Sequence, residues 1–209
     1  MGRLSTLLVV LGCSLALAGC PKIDVAPDSG VVPYDRTTGN PFDAPLSLSD
    51  TRVLSLDLAQ VPSVEGACHP TVVGVVERIV DGDTLHVTVP ADGMSYDVRM
   101  IGVNTPEIAH GDGGPPADCY GNESFGFTEL LRGRAVILSF DAGCRDPFDR
   151  LLAYVWVGAG PGDLWQRQLL RRGYARTLSI APNTAMASTF EEDQGIAQTA
   201  GAGLWGACP

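Results

Sequence analysis

Three short β-branched runs, each cut off by tight-turn chemistry, constrain this chain more than any other feature. Residues 71–80 alternate loosely around Val72, Val73, Val75, Val76 and Ile79 and stop at Asp81-Gly82. Thr84-Leu85-His86-Val87-Thr88-Val89 follows and stops at Pro90-Ala91-Asp92-Gly93, after which residues 96–101 resume the alternation. Such runs between Gly, Pro and Asp clusters read as strands joined by turns, the second and third forming a hairpin. Residues 103–118 carry Pro106, Pro115, Pro116 and several glycines, the signature of a long loop, and long loops in compact domains are often functional.

Beyond that loop, residues 123–132 place Phe127, Leu130 and Leu131 on one helical face with Gly133 as a stop. Residues 134–140 and 151–157 read as a fourth and a fifth strand. Asp163 and Gln166 form a candidate capping box for a helix over 164–172, and Phe190 with Ala197 marks a last helix near 186–199. Five short strands and about three helices predict an α+β, mainly β chain that closes into a small barrel rather than a βαβ sheet.

Composition narrows the class. With 45% hydrophobic residues, 25 glycines and 15 prolines among 209 residues, the chain has enough apolar content for a core and many turns, and is neither collagen-like nor wholly disordered. The net charge is −10 and Lys22 is the single lysine, which excludes a protein that coats nucleic acid through a broad basic surface. Residues 68–209 hold 10 arginines against 17 acids, so cations there are few and specific in place.

Residues 1–19 read as a secretory signal, with Arg3 as its positive end and an apolar run over 7–18 too short to span a bilayer. Leu17-Ala18-Gly19-Cys20 resembles the bacterial lipobox, which implies cleavage before Cys20 and lipid on its thiol, anchoring the chain without a spanning helix. Pro21 is not the inner-membrane retention aspartate of enteric lipoproteins, so the expected location is the cell envelope with the outer membrane favoured. Residues 20–67, rich in Pro, Ser, Asp and Thr without a clear period, read as a lipid-anchored flexible tether, leaving 68–209 as the folded domain.

Apart from Cys13 in the signal and Cys20, four cysteines remain: Cys68, Cys119, Cys144 and Cys208. An even number in an exported domain predicts two disulfides, with three possible connectivities. Cys68 with Cys208 and Cys119 with Cys144 is the favoured pairing, because closing the longest loop restricts the unfolded chain most. A zinc site is disfavoured, since no two cysteines stand in C-x-x-C spacing.

Ile79-Val80-Asp81-Gly82-Asp83-Thr84, residues 98–107 (Val-Arg-Met-Ile-Gly-Val-Asn-Thr-Pro-Glu) and Asp149-Arg150-Leu151-Leu152-Ala153-Tyr154 carry the chemistry. In that order and spacing, together with Gly203-Leu204-Trp205, they resemble the staphylococcal-nuclease-like (thermonuclease) family over roughly 70–206. The resemblance implies a five-stranded OB-fold barrel and calcium-dependent hydrolysis of DNA or RNA phosphodiesters, leaving 3′-phosphate ends. It further implies Arg99, Glu107 and Arg150 as catalytic residues and Asp83, Asn104 and Thr105 as calcium ligands, with Asp81 behind them.

Elementary chemistry agrees with that assignment. Phosphodiester hydrolysis needs a hard cation, an oriented water and positive donors for the transition-state oxygens. Asp83 opens a strand just after a turn, and Asp81, two residues earlier, lies on the same side. Arg99 sits in an apolar strand, where a cation needs a phosphate or acidic partner; surface pairing with Asp97 or Glu123 is the plainer alternative for it. Arg150 comes from a separate strand, so that two arginines can clamp one phosphate. Glu107 positions or deprotonates the attacking water.

Three departures from the family pattern stand out. Asn104 replaces a metal-binding aspartate, which weakens calcium affinity by removing a ligand charge. Asp149 replaces a glycine and either pairs with Arg150 or repositions it. Leu178 and Ile180 replace aromatic residues that contact the nucleotide. His69, His86 and His110 share no ligand spacing and read as structural or solvated. The expected protein is therefore a monomeric nuclease with DNA or RNA as substrate and a membrane as its support. The competing readings are a catalytically inactive OB-fold lipoprotein that binds nucleic acid or another ligand, and a structural envelope spacer.

Overall fold

A computed structural model of the chain describes residues 30–31, 46–109, 111 and 114–209. The signal at 1–19, the lipidation site Cys20, His110 and residues 20–29 and 32–45 of the proposed tether lie outside the described residues. Among the described residues, no helix is long and apolar enough to cross a membrane.

The strands are β1 (Gly30–Val31), β2 (Ser47–Leu48), β3 (Val72–Asp81), β4 (Thr84–Val89), β5 (Met94–Met100), β6 (Gly102–Asn104), β7 (Ala135–Ser139), β8 (Leu151–Trp156) and β9 (Arg176–Leu178). The helices are α1 (Asp50–Ser55), α2 (Gly121–Thr128), α3 (Trp165–Arg171), α4 (Ala187–Ala200) and α5 (Leu204–Ala207). β3, β4, β5, β8 and β7 close a barrel in that order, the expected five-stranded OB-fold. All neighbours are antiparallel except β5 and β8, which run parallel with Arg99 opposite Leu152. That one parallel pairing brings the start of β8, and so Arg150, beside the end of β5 that carries Arg99.

Alternation in the sequence becomes burial. Val76, Leu85, Val87, Val98 and Ala153 are fully buried, while Glu77, Arg78 and Asp97 face water. β7 departs from alternation, with all five of its residues buried. The cause is the segment 46–61, which folds onto the barrel wall although the sequence reads as flexible tether through residue 67. Leu46, Leu48, Val53 and Val61 are buried, and the Asp50 carboxylate accepts from Ala135 N at 2.9 Å and from Arg134 Nη1 at 3.3 Å. Arg52 donates to Val157 O at 2.6 Å and to Asp163 Oδ1 at 3.0 Å. The described segment 46–61 is therefore packed on the barrel rather than free of it.

Two short helices, α1 and α5, raise the count above the three expected. The capping box at Asp163 and Gln166 does not form: Asp163 is taken by Gly160 N and Arg52, and Gln166 turns inward to Val155 N and Ala153 O. α3 is locked to α4 instead, where the fully buried Asp193 accepts from Arg167 Nε at 2.6 Å and Arg171 Nε at 2.5 Å.

The disulfides join Cys68 to Cys144 and Cys119 to Cys208, correcting the expected pairing. Topology overrides the loop-closure argument. Cys68 N donates to Asp141 O at 2.8 Å, which sets Cys68 beside the loop after β7. Leu204 N donates to Gly173 O at 2.8 Å and docks the C-terminal turn, carrying Cys208, on the helical side of the barrel.

Candidate active site

The turn between β3 and β4 builds one wall of the site. Asp81 accepts from Gly82 N at 2.7 Å, and Gly82 O accepts from the buried Thr128 hydroxyl at 2.6 Å. Position 82 must be glycine on steric grounds, because a Cβ there would lie 2.7 Å from Thr105 Oγ1 and 2.9 Å from Thr105 Cβ. Thr105 in turn donates its backbone N–H to Asp83 Oδ2 at 2.9 Å, while Thr84 Oγ1 donates to Asp83 Oδ1 at 3.1 Å.

Arg99 meets an acidic partner, as its place in an apolar strand requires, and that partner is Asp83 at 3.1 Å rather than Asp97 or Glu123. Nη1 donates to Met100 O and Val103 O at 2.8 Å each, and Nη2 also donates to Asn104 Oδ1 at 3.0 Å. Burial pulls the Arg99 guanidinium below its ordinary pKa, nearby Arg150 adds to this, and the Asp83 carboxylate opposes it.

Glu107 approaches from the long loop. Its backbone N–H donates to Asp118 Oδ2 at 3.3 Å and its carbonyl accepts from Asp118 N at 2.9 Å, so Asp118 closes the loop just before Cys119. The Asp81 and Glu107 carboxyls are in hydrogen-bonding contact. Burial first, then that hydrogen bond and repulsion by Glu107 and Asp83, push Asp81 up to about 7, against the lowering pull of Gly82 N.

Arg150 enters from the opposite wall, its Nε donating to Asp146 Oδ2 at 2.7 Å and its guanidinium lying 5.5 Å from the Phe148 ring centre. Asp149 adopts φ 65°, the left-handed region that favours glycine. Its carboxylate pairs with Arg145 at 3.0 Å and not with Arg150, so the substitution leaves Arg150 in place.

Asp81, Asp83, Arg99, Asn104, Glu107 and Arg150 line one cleft of ≈ 670 Å³, with Leu178 and the exposed Ile180 on its rim. Thr105 is buried behind it. Its Oγ1 is buried with no hydrogen-bond partner, an orphan oxygen beside converging carboxyls. All-oxygen donors of this kind suit a hard cation such as calcium. Among the described residues, however, no three Asp, Glu, His or Cys side chains form a ready-made metal cage, and Asp83 and Asn104 both contact Arg99. His86 lies on the barrel surface with Asp97 at 2.7 Å, and His69 contacts Pro70 O and Phe140; neither belongs to the cleft.

Sequence reasoning missed Asp146, Asp118 and Thr128. Only Asp146 left a signal, the Asp146-Pro147 turn dipeptide four residues before Arg150. Thr128 acts across the fold and Asp118 at the far end of the loop that carries Glu107, and nothing local marks either.

A closed five-stranded barrel whose one parallel pairing brings two arginines to three carboxyl groups has the parts that phosphodiester hydrolysis needs, the chemistry of the nuclease class. Residues 97–207 match the model of the staphylococcal nuclease homologue family. The thermonuclease of Staphylococcus hyicus is 35% identical over 131 residues, 62% of this chain and 73% of that protein. The thermonuclease of Staphylococcus intermedius is 33% identical, over 63% of this chain and 74% of that protein. Endonuclease YhcR of Bacillus subtilis is 28% identical over 69% of this chain and 12% of its own length. The chain belongs to the staphylococcal nuclease homologue family.

Proposed function

We propose that this protein is a calcium-dependent nuclease that hydrolyses DNA or RNA, leaves 3′-phosphate ends, and is held on the outside of a bacterial membrane by lipid on Cys20, with the outer membrane favoured. The observation that carries the catalytic part is the convergence of Asp81, Asp83, Glu107, Arg99 and Arg150 on one cleft that also holds the orphan Thr105 hydroxyl. Arg150 presents its two terminal nitrogens to the phosphate, where donors fixed in advance stabilise the charge of the transition state. Glu107, its backbone clamped by Asp118, orients the attacking water or takes its proton. Arg99 holds Asp83 in place and adds positive potential at the cleft floor. Asp83, Asn104 and Thr105 would hold calcium, with Asp81 behind them, and the ion would supply charge neutralisation at the phosphate oxygens when bound.

Glu107→Gln tests this reading. Cleavage of single-stranded DNA should fall by about two orders of magnitude, the scale of general base catalysis, while DNA binding persists. The 3′ ends from the wild-type protein should accept labelled nucleotide from terminal transferase only after phosphatase treatment. The second reading, an inactive OB-fold that binds nucleic acid, is favoured by one observation: all four terminal N–H groups of Arg99 are already bonded within the protein. It predicts full ligand binding by the Glu107→Gln variant with no cleavage by either protein.

A further inference from the structure

Arg150 is useful to a phosphate only if its planar fork points into the cleft, and the loop over residues 144–150 must set that direction. The base of the loop is fixed by the Cys68–Cys144 disulfide and by Gly143 N donating to Asn183 Oδ1 at 2.7 Å. Within it, Arg145 Nη1 holds Asp149 through its carbonyl at 2.7 Å and its carboxylate at 3.0 Å, and Asp146 makes the bonds that reach Arg150. Its Oδ1 accepts from Phe148 N and Arg150 N, each at 2.9 Å, and its Oδ2 accepts from Arg150 Nε at 2.7 Å. Its own N–H donates to Arg150 O at 3.1 Å, and its carbonyl accepts from Asp149 N at 3.0 Å. The Asp146 side chain is 11% exposed and that of Arg150 is 33% exposed, so the carboxylate is covered and the guanidinium open to the cleft.

We infer that Asp146 is a positioning residue for Arg150: one carboxylate grips both the backbone and the Nε of the arginine and leaves its two terminal nitrogens aimed at the scissile phosphate. The inference rests on the reading of Arg150 as the phosphate-binding arginine. A guanidinium held by one edge keeps the opposite fork free for two parallel bonds to phosphate. Fixing that fork before substrate arrives spares reorganisation as charge develops. Burial works to raise the Asp146 pKa, yet the hydrogen bonds from Arg150 and Phe148 outweigh it and hold the carboxyl below its usual range. The group is therefore ionised at neutral pH. Asp149, the nearest other acid, is occupied by Arg145 and does not duplicate the role.

The test compares the full chain with its Asp146→Asn, Arg150→Ala and doubly substituted variants in cleavage of single-stranded DNA at saturating calcium. Asparagine retains an oxygen for the two backbone N–H groups, so the loop keeps its shape, but it turns an amide donor toward Arg150 Nε. Losing a charge-assisted bond of this kind should lower kcat about tenfold with KM changed by less than about threefold. The double variant should be no slower than Arg150→Ala alone, because Asp146 acts through the arginine. Wild-type kcat for Asp146→Asn, or a double variant slowed by the product of the two single effects, overturns the inference. If Arg150→Ala itself cleaves at the wild-type rate, the reading of Arg150 fails and takes this inference with it; an inactive Arg150→Ala beside a fully active Asp146→Asn sinks the inference alone.

Discussion

Gly82→Ala places one methyl group where the fold and the site share an atom. The new Cβ would stand 2.7 Å from Thr105 Oγ1 and 2.9 Å from both Cβ and Cγ2 of Thr105. Rotating the threonine cannot relieve the clash, because its Cβ is fixed by the backbone. The backbone at 105 must move by several tenths of an ångström, and Thr105 is 1% exposed, with little free space around it. Overpacking of this kind costs about 1–3 kcal/mol. For a chain of this size, about 2 kcal/mol lowers Tm by roughly 4–8 °C. The same movement displaces the Thr105 N–H that holds Asp83 Oδ2, so kcat should fall by about tenfold or more, since small misplacements at a reacting centre are costly in rate. Gly126→Ala in α2 is the comparison: its Cβ meets nothing within 4 Å, and the gain in helix propensity should stabilise by about 0.5–1 kcal/mol with activity unchanged. The measurements are thermal unfolding by circular dichroism and initial rates on single-stranded DNA. A Gly82→Ala protein with wild-type Tm and kcat would refute the reasoning.

Other consequences follow from the same contacts. Asp193→Ala leaves the buried Arg171 and the half-buried Arg167 without their carboxylate and should destabilise by about 3–5 kcal/mol, read by urea unfolding. The folded-state pKa of Asp81, at about 7, lies above the unfolded value of 3.8, so the metal-free protein binds more protons folded than unfolded between those values. Its stability in chelator should fall as pH rises from about 4 to about 7, and Asp81→Asn should flatten that slope; an unchanged slope would remove Asp81 as the cause. Non-reducing peptide mapping should recover Cys68 with Cys144 and Cys119 with Cys208, and any peptide joining Cys68 to Cys208 would contradict the topology.

The barrel was legible because its strands advertise themselves: β3, β4 and β5 alternate visibly, and Asp81-Gly82 and Ala91-Asp92-Gly93 mark where they reverse. The wall segment 46–61 was not, since its elements span two to six residues and show no full period of either kind. Its evidence is tertiary: Asp50 reaches Ala135, 85 residues away. Disulfide pairing was hidden for the same reason, as it depends on which loops the closed barrel brings together. At the site, ordered motifs located the acids and arginines, whereas supports such as Asp118 for Glu107 and Thr128 for the Gly82 turn lay outside them. The exception, Asp146, is near Arg150 but reads locally as a turn aspartate.

The central claim is that the cleft cleaves phosphodiesters with calcium. The most direct test is the initial rate of single-stranded DNA cleavage by the purified protein at millimolar calcium and again in excess chelator. The proposed calcium-dependent hydrolysis predicts cleavage that chelator abolishes, that calcium restores, and that Arg150→Ala reduces chiefly in kcat. DNA bound but left intact at millimolar calcium would contradict it and leave the barrel a binding module.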